Sequence, residues 1–178
     1  MRYSSRPWRK ITVKTEIRPP KDCSTDDLDA FKKLVVSAGE VDPEGFDQRV
    51  KRAQGLIFLY GESEELVGVA AVKRPNQSYK QRVFKKAKSR EDPARYLFEL
   101  GWVVVDDRFR GNGFSRTLVD RAVSLVAGDN LFATTRSDNI PMRKTNGKCG
   151  FVMSGVPFRT SRKGQYHELL LFIRVASD

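Results

Sequence analysis

Apolar and polar positions alternate through Ile11-Thr12-Val13-Lys14-Thr15-Glu16-Ile17 until Pro19-Pro20 stops the pattern, which predicts a half-buried strand. Ser24 or Thr25 then caps a run in which Leu28, Phe31, Leu34 and Val35 share one helical face, closed by Gly39. Asp42-Pro43 is a second helix start, leading through Phe46 and Val50 to about Ala53. Two apolar runs, residues 56–60 and 66–72, flank the turn-rich Gly61-Glu62-Ser63-Glu64-Glu65 and predict an antiparallel hairpin. Further along, strands are predicted over residues 96–105, 131–135, 151–156 and 166–175, with helices over 111–127 and from 139 to about 146. There is no internal repeat, and the order β-α-α-β-β-β-α-β-α-β-β describes one mixed α/β domain across residues 1–178.

Length and charge narrow the choices. A chain of 178 residues can enclose a core without metal or disulfide staples. With 39% hydrophobic residues it is too apolar for a disordered basic tail, and its runs are too short and polar for a membrane span. Cys23 and Cys149 are far apart and lack CxxC spacing, and His167 is the only histidine, so neither a disulfide framework nor a metal centre is expected. Residues 1–10 are basic but lead into no apolar run, so no secretory signal is read and a reduced, cytoplasmic protein is expected. The formal charge of +11 calls for a negative partner: nucleic acid, an anionic surface, or a phosphorylated substrate or cofactor.

The chemistry concentrates after the valine run Val103-Val104-Val105. There Asp106-Asp107-Arg108-Phe109-Arg110-Gly111-Asn112-Gly113 turns directly into a helix whose apolar face is Phe114, Leu118, Ala122 and Leu125. Glycines let the backbone approach a ligand, and the unbonded amides of a first helical turn, with the helix dipole, favour an anion. Arg108, Arg110 and Arg116 add full charges, so phosphate or pyrophosphate is the natural occupant. The plain alternative is a strand-to-helix turn with arginine for solubility. No Gly-Lys-Ser/Thr follows, and the glycine spacing is wrong for a dinucleotide fingerprint.

This segment resembles motif A of the GCN5-related N-acetyltransferases, the GNAT superfamily, whose pattern is Gln/Arg-x-x-Gly-x-Gly/Ala. Arg110-Gly111-Asn112-Gly113-Phe114-Ser115 matches with Ser in the last slot, and Arg108-x-x-Gly111-x-Gly113 fits the letters as well. A second match lies downstream, where family members often read N-x-x-A-x-x-x-Y-x-K-x-G-F. Here Asn139, Lys148, Gly150 and Phe151 fall in register. The resemblance covers roughly residues 56–175. It implies a mostly antiparallel sheet of about seven strands with flanking helices, splayed between strands 4 and 5. It also implies acetyl-CoA, or another acyl-CoA, as cofactor. Its pantetheine would pair with backbone at Val103, Val104 and Val105 and touch Asn139. Its pyrophosphate would rest on the amides of Gly111, Asn112, Gly113, Phe114, Ser115 and Arg116, beside Arg110.

The resemblance further implies acyl transfer to an amine by direct attack in a ternary complex. Some members place a glutamate base on the fourth strand eleven residues before motif A, which is the position of Glu99. Its alternative reading is a carboxylate paired with a neighbouring Lys or Arg, and its facing depends on whether the strand carries the family's bulge. Asn146 departs from the pattern, standing where many members have the Tyr that protonates the leaving thiolate, and an amide cannot supply that proton. Tyr166, water, or unassisted departure of the thiolate would replace it. Cys149 reads as packing and His167 as a structural or surface residue.

Between Lys73 and Arg95 nine basic residues stand against Glu91 and Asp92, with Tyr79 and Phe84 interleaved. The segment reads either as a solvated helix over residues 79–89 with Val83 and Phe84 inward, or as a seat for an anionic acceptor. The expected partner is a small-molecule or macromolecular amine. The alternatives are a GNAT-fold nucleic-acid-binding module with degraded chemistry, and an acetyltransferase acting on an RNA-linked or nucleotide-linked amine.

Overall fold

Along the second strand Leu56 and Phe58 pack into one apolar cluster and Ile57 and Leu59 into another, so the sheet at the centre of the molecule carries helices on both faces. The computed structural model describes residues 11–39, 41–162 and 164–176; the basic residues 1–10 lie outside them. Its elements run β1 (Lys14–Arg18), α1 (Thr25–Ser37), α2 (Phe46–Lys51), β2 (Gly55–Tyr60), β3 (Leu66–Lys73), α3 (Gln77–Lys86) and β4 (Phe98–Val105). They continue with α4 (Phe114–Leu125), β5 (Leu131–Arg136), α5 (Ile140–Lys148), β6 (Val152–Met153), β7 (Phe158–Arg162) and β8 (Gln165–Arg174). Ser24 starts α1 with a reciprocal capping box to Asp27, as its position before an apolar face predicts.

The eight-stranded sheet has the order β1-β2-β3-β4-β5-β8-β6, with β7 also paired to β8. Every pairing is antiparallel except β4 with β5. The expected sheet thus gains one strand. The run 158–162 holds a single apolar residue, Phe158, and so carries no alternation to read, yet it forms a hairpin with β8. The strand expected over 151–156 shrinks to two residues because the chain turns at Gly155, with φ +76°, against the end of α3. A side chain at Gly155 would overlap the Ala87 carbonyl, which accepts the Val156 amide at 2.7 Å.

Two features of β4 position everything that follows. It pairs with β5 only at Phe98↔Leu131 and Glu99↔Phe132, and beyond Glu99 the strands diverge. The β4 edge that faces β5 is therefore left without a strand partner through Val103, Val104 and Val105. On the other side the register with β3 slips between Val69↔Val104 and Ala71↔Gly101, and Trp102 takes φ +52°. This bulge flips the alternation. Phe98, Leu100, Val103 and Val105 all pack toward α4, while Glu99 and Trp102 face the opposite side. That opposite face is divided between α1 with α2, over β2 and β3, and α3, over Phe132 and Leu171.

Candidate active site

The divergence of β4 from β5 opens a cleft of about 1240 Å³ that runs from the start of α4, between the two strands, to the space between α2 and α3. Val103, Val104, Val105, Arg110, Gly111, Gly113, Phe114, Ser115, Asn139 and Glu99 all line it, so the predicted motif residues converge on one space. Asn112 and Arg116 stay outside the lining. The Asn112 carboxamide donates back to the carbonyls of Phe109 and Arg110, and Arg116 reaches along its helix to Asp120.

At the β4–α4 turn Gly111 and Gly113 take φ +83° and +77°, and nothing lies within 4 Å of a Cβ built on either. Their role is conformational, since the left-handed backbone suits glycine. The first α4 amides to find a backbone acceptor are those of Arg116 and Thr117, both on the Gly113 carbonyl. Among the described residues the amides of residues 111–115 have no backbone partner, which leaves a cluster of donors at the positive end of a helix. Arg108 and Arg110 hold Asp106 and Asp107 at 2.9 and 2.7 Å, exposed pairs that an entering anion can compete with. The unpaired β4 edge, the free amides and the glycine turn together fit the pantetheine and pyrophosphate of an acyl-CoA. Asn139 caps α5 by accepting the Met142 amide at 3.1 Å and faces the same cleft.

Glu99 is 3% exposed, is paired and lines the cleft. The Tyr79 hydroxyl donates to Oε1 at 3.0 Å, and the Lys73 ammonium lies 2.8 Å from Oε2. Two oxygens offer about four acceptor sites, so these bonds leave room for a further donor. Burial, reinforced by the charge of Glu99, pushes the Tyr79 hydroxyl well above its ordinary range, against a hydrogen bond from Thr134 on β5. Tyr79 therefore keeps its proton and bridges the two diverging strands. Neither Lys73 nor Tyr79 was legible as a Glu99 partner. Lys73 is set opposite Glu99 by a register that no local pattern encodes, and Tyr79 reaches it from a separate helix.

Tyr166 is not brought to the site. It is 79% exposed near the tip of the β7–β8 hairpin and does not line the cleft, whereas its neighbour His167, on the other face of β8, does. Asn146 is wholly buried and outside the lining, its amide donating to Thr135 Oγ1 at 3.0 Å. Thr135 lines the cleft, and because it accepts from Asn146 its own hydroxyl proton points elsewhere. Cys149 packs among apolar side chains, and burial, with Asp120 beside it, pushes its thiol up to about 12, so it is no nucleophile. Among the described residues no group of His, Cys, Asp and Glu gathers to hold a metal, and no helix is long and apolar enough to cross a membrane.

Known proteins bear on this site through family and fold. The model of the acetyltransferase (GNAT) family matches residues 24–151. A GNAT-family acetyltransferase from Streptococcus agalactiae 2603 superposes with a TM-score of 0.67 at 16% identity, covering 92% of this chain and 96% of that one. Arabidopsis thaliana NAA60 in complex with a bisubstrate analogue gives 0.66 at 16%, covering 92% and 99%. The yncA protein of Salmonella typhimurium, solved with its cofactor acetyl-CoA, gives 0.65 at 15%, covering 94% and 95%. No curated protein sequence matches the chain.

Proposed function

We propose that this chain, which belongs to the acetyltransferase (GNAT) family, transfers an acyl group from acyl-CoA to the nitrogen of an amine acceptor. The observation that carries the reading is the placement of a buried, cleft-facing Glu99 at the point where β4 and β5 part, in the same cleft as the free amides of the β4–α4 turn. Bound acyl-CoA supplies an activated acyl thioester; as the new N–C bond replaces the C–S bond the acceptor ammonium gives up two protons, one to the base and from there to solvent, and one that ends on the departing sulfur.

The chain's own residues support each requirement of that exchange. The amides of residues 111–115 and Arg110 bind the pyrophosphate, and the unpaired β4 edge at Val103, Val104 and Val105 orients the pantetheine. Glu99 accepts the proton of the acceptor ammonium, directly or through a water, at an oxygen site left open by Tyr79 and Lys73. Lys73 balances the buried carboxylate, and Tyr79 fixes its rotamer. With Tyr166 outside the cleft, the Thr135 hydroxyl, aimed by Asn146, is the side-chain donor we assign to the sulfur end.

The nucleic-acid-module reading is weakened at its aromatics. Phe84 is buried against Tyr96 and Phe132 and offers no face for base stacking, and the Arg82 guanidinium stands 5.8 Å from the centroid of the Tyr79 ring. Lys80 is spent internally on the Tyr96 carbonyl at 2.9 Å. The helix expected in this basic segment forms as α3, with Val83 and Phe84 turned inward. The test is a panel of primary amines with acetyl-CoA, read by thiol release. Turnover on at least one amine is expected, and acetyl-CoA binding with no transfer to any amine contradicts the reading.

A further inference from the structure

The two ends of the cleft differ in how their arginines are matched. At the α4 end the lining arginine, Arg110, reaches Asp107, and Arg108 and Arg116, beside that end but outside the lining, reach Asp106 and Asp120. At the other end the exposed Arg52, closing α2, Arg74, just past β3, and Arg82, on α3, line the cleft with no carboxylate within ion-pair distance among the described residues. Arg74 donates to the Gln54 carboxamide, and Arg82 stands 5.8 Å from the centroid of the Tyr79 ring. Arg49 spends its guanidinium on the carbonyls of Asp42 and Glu44. Lys73 adds no net charge here, because it neutralises Glu99.

The face opposite α4 therefore presents a base position, Glu99, flanked by unmatched guanidiniums from two separate elements. We propose that the acceptor amine carries an anionic group, a phosphate or carboxylate, seated by Arg82 and Arg52 with Arg74 while its nitrogen meets Glu99. The inference rests on the acyltransferase reading of the site and names its substrate class. Guanidinium forks match both oxyanions, and charge-assisted bonds there orient the amine as well as bind it. Arg82 follows Tyr79 by one helical turn, and the Tyr79 hydroxyl touches Glu99. That nearness suits an acceptor whose anion and amine are separated by a short chain. A polycationic acceptor is disfavoured by the same charges.

The test is calorimetric titration of ethanolamine, O-phosphoethanolamine and β-alanine into the full chain, with and without CoA, beside a titration with CoA alone. O-Phosphoethanolamine, β-alanine or both are expected to bind at least about tenfold tighter than ethanolamine, and the stronger of the two identifies the anion. Arg82→Gln and Arg52→Gln are each expected to shrink that margin, while Arg121→Gln, on the far side at α4, is expected to keep it. Equal binding of all three amines, or a margin that survives the Arg52→Gln/Arg82→Gln double variant, overturns the proposal. Tighter binding of a short single-stranded RNA than of either anionic amine overturns it in favour of a nucleic-acid acceptor. CoA binding without an anion margin sinks this inference alone, whereas an anion margin without CoA binding sinks the acyltransferase reading alone.

Discussion

Lys73 and Glu99 are direct cross-strand partners in the β3–β4 register, and their charges meet at 2.8 Å on the face of the sheet opposite α4. Two long side chains from the ends of otherwise apolar strands are thereby held where the sheet splits. The pair is mostly buried, with side-chain exposures of 20% and 4%. Removing one partner alone strands a charge in a poor solvent.

Lys73→Met is therefore expected to destabilise the fold by about 3 kcal/mol, and Glu99→Gln by less, since an amide still accepts from Tyr79. The double variant should recover part of the loss. Glu99→Gln should also lower the rate and reshape its pH profile while leaving acetyl-CoA affinity nearly unchanged. Urea unfolding and pH–rate profiles check both, and an unchanged profile removes Glu99 as the base.

Alkaline stability follows from three protons that the fold retains. Burial and then Glu99 push Tyr79 well above 10.0. Burial and a hydrogen bond to Glu91 push Tyr96 up to about 12, and burial with Asp120 pushes Cys149 from 9.0 to about 12. From about pH 9 upward the unfolded chain releases these protons before the folded chain does, so it binds fewer protons and stability falls as pH rises. Below about pH 9 the contribution is fully present. Urea midpoints should decline steadily between about pH 9 and 11, and a flat series contradicts the burial of these groups.

The same burial makes the two cysteines unequal. Cys23 is half-buried with its thiol on the Pro19 carbonyl at 3.6 Å, while Cys149 is enclosed in the core. Near neutral pH, iodoacetamide should label Cys23 well before Cys149, as read by peptide mass spectrometry. Early labelling of Cys149 contradicts its packing.

Thr135 and Asn146 depend on each other. Among the described residues the Asn146 carbonyl oxygen is buried without a partner, and the hydrogen bond from its amide group to Thr135 is the one polar contact its side chain makes. Thr135→Val keeps the shape but orphans that amide, at an expected cost of about 1–3 kcal/mol. It should also slow acyl transfer more than it weakens acetyl-CoA binding. A loss of stability with no change in rate leaves Thr135 a purely structural role.

What the sequence disclosed and what it withheld separate along physical lines. The β4–α4 turn was legible because its glycines, its valine run and its helical face are local, and the helix starting near Asn139 was legible for the same reason. Glu99 was legible as a polar residue in an apolar strand, but its facing was not. That facing turns on a bulge at Trp102, a bulky residue in a left-handed conformation with no glycine to announce it. The Lys73 contact depends on strand register, and the Tyr79 contact on how a helix rests across the sheet. Tyr166 misled because alternation along β8 sets faces only relative to neighbours, and at the hairpin tip its side chain is exposed.

The most direct test of the central claim is calorimetric titration of acetyl-CoA into the full chain and its Gly113→Asp variant, at low and raised salt. The substituted side chain enters open space but must take the φ +77° backbone, a strain that Asp bears better than most residues and that urea unfolding of the variant measures, while its carboxylate stands among the donors assigned to the pyrophosphate. Micromolar binding that persists at raised salt in the parent chain and is abolished in Gly113→Asp is the predicted result. No binding by the parent chain, or equal binding by both, contradicts it and leaves the glycine turn as a turn.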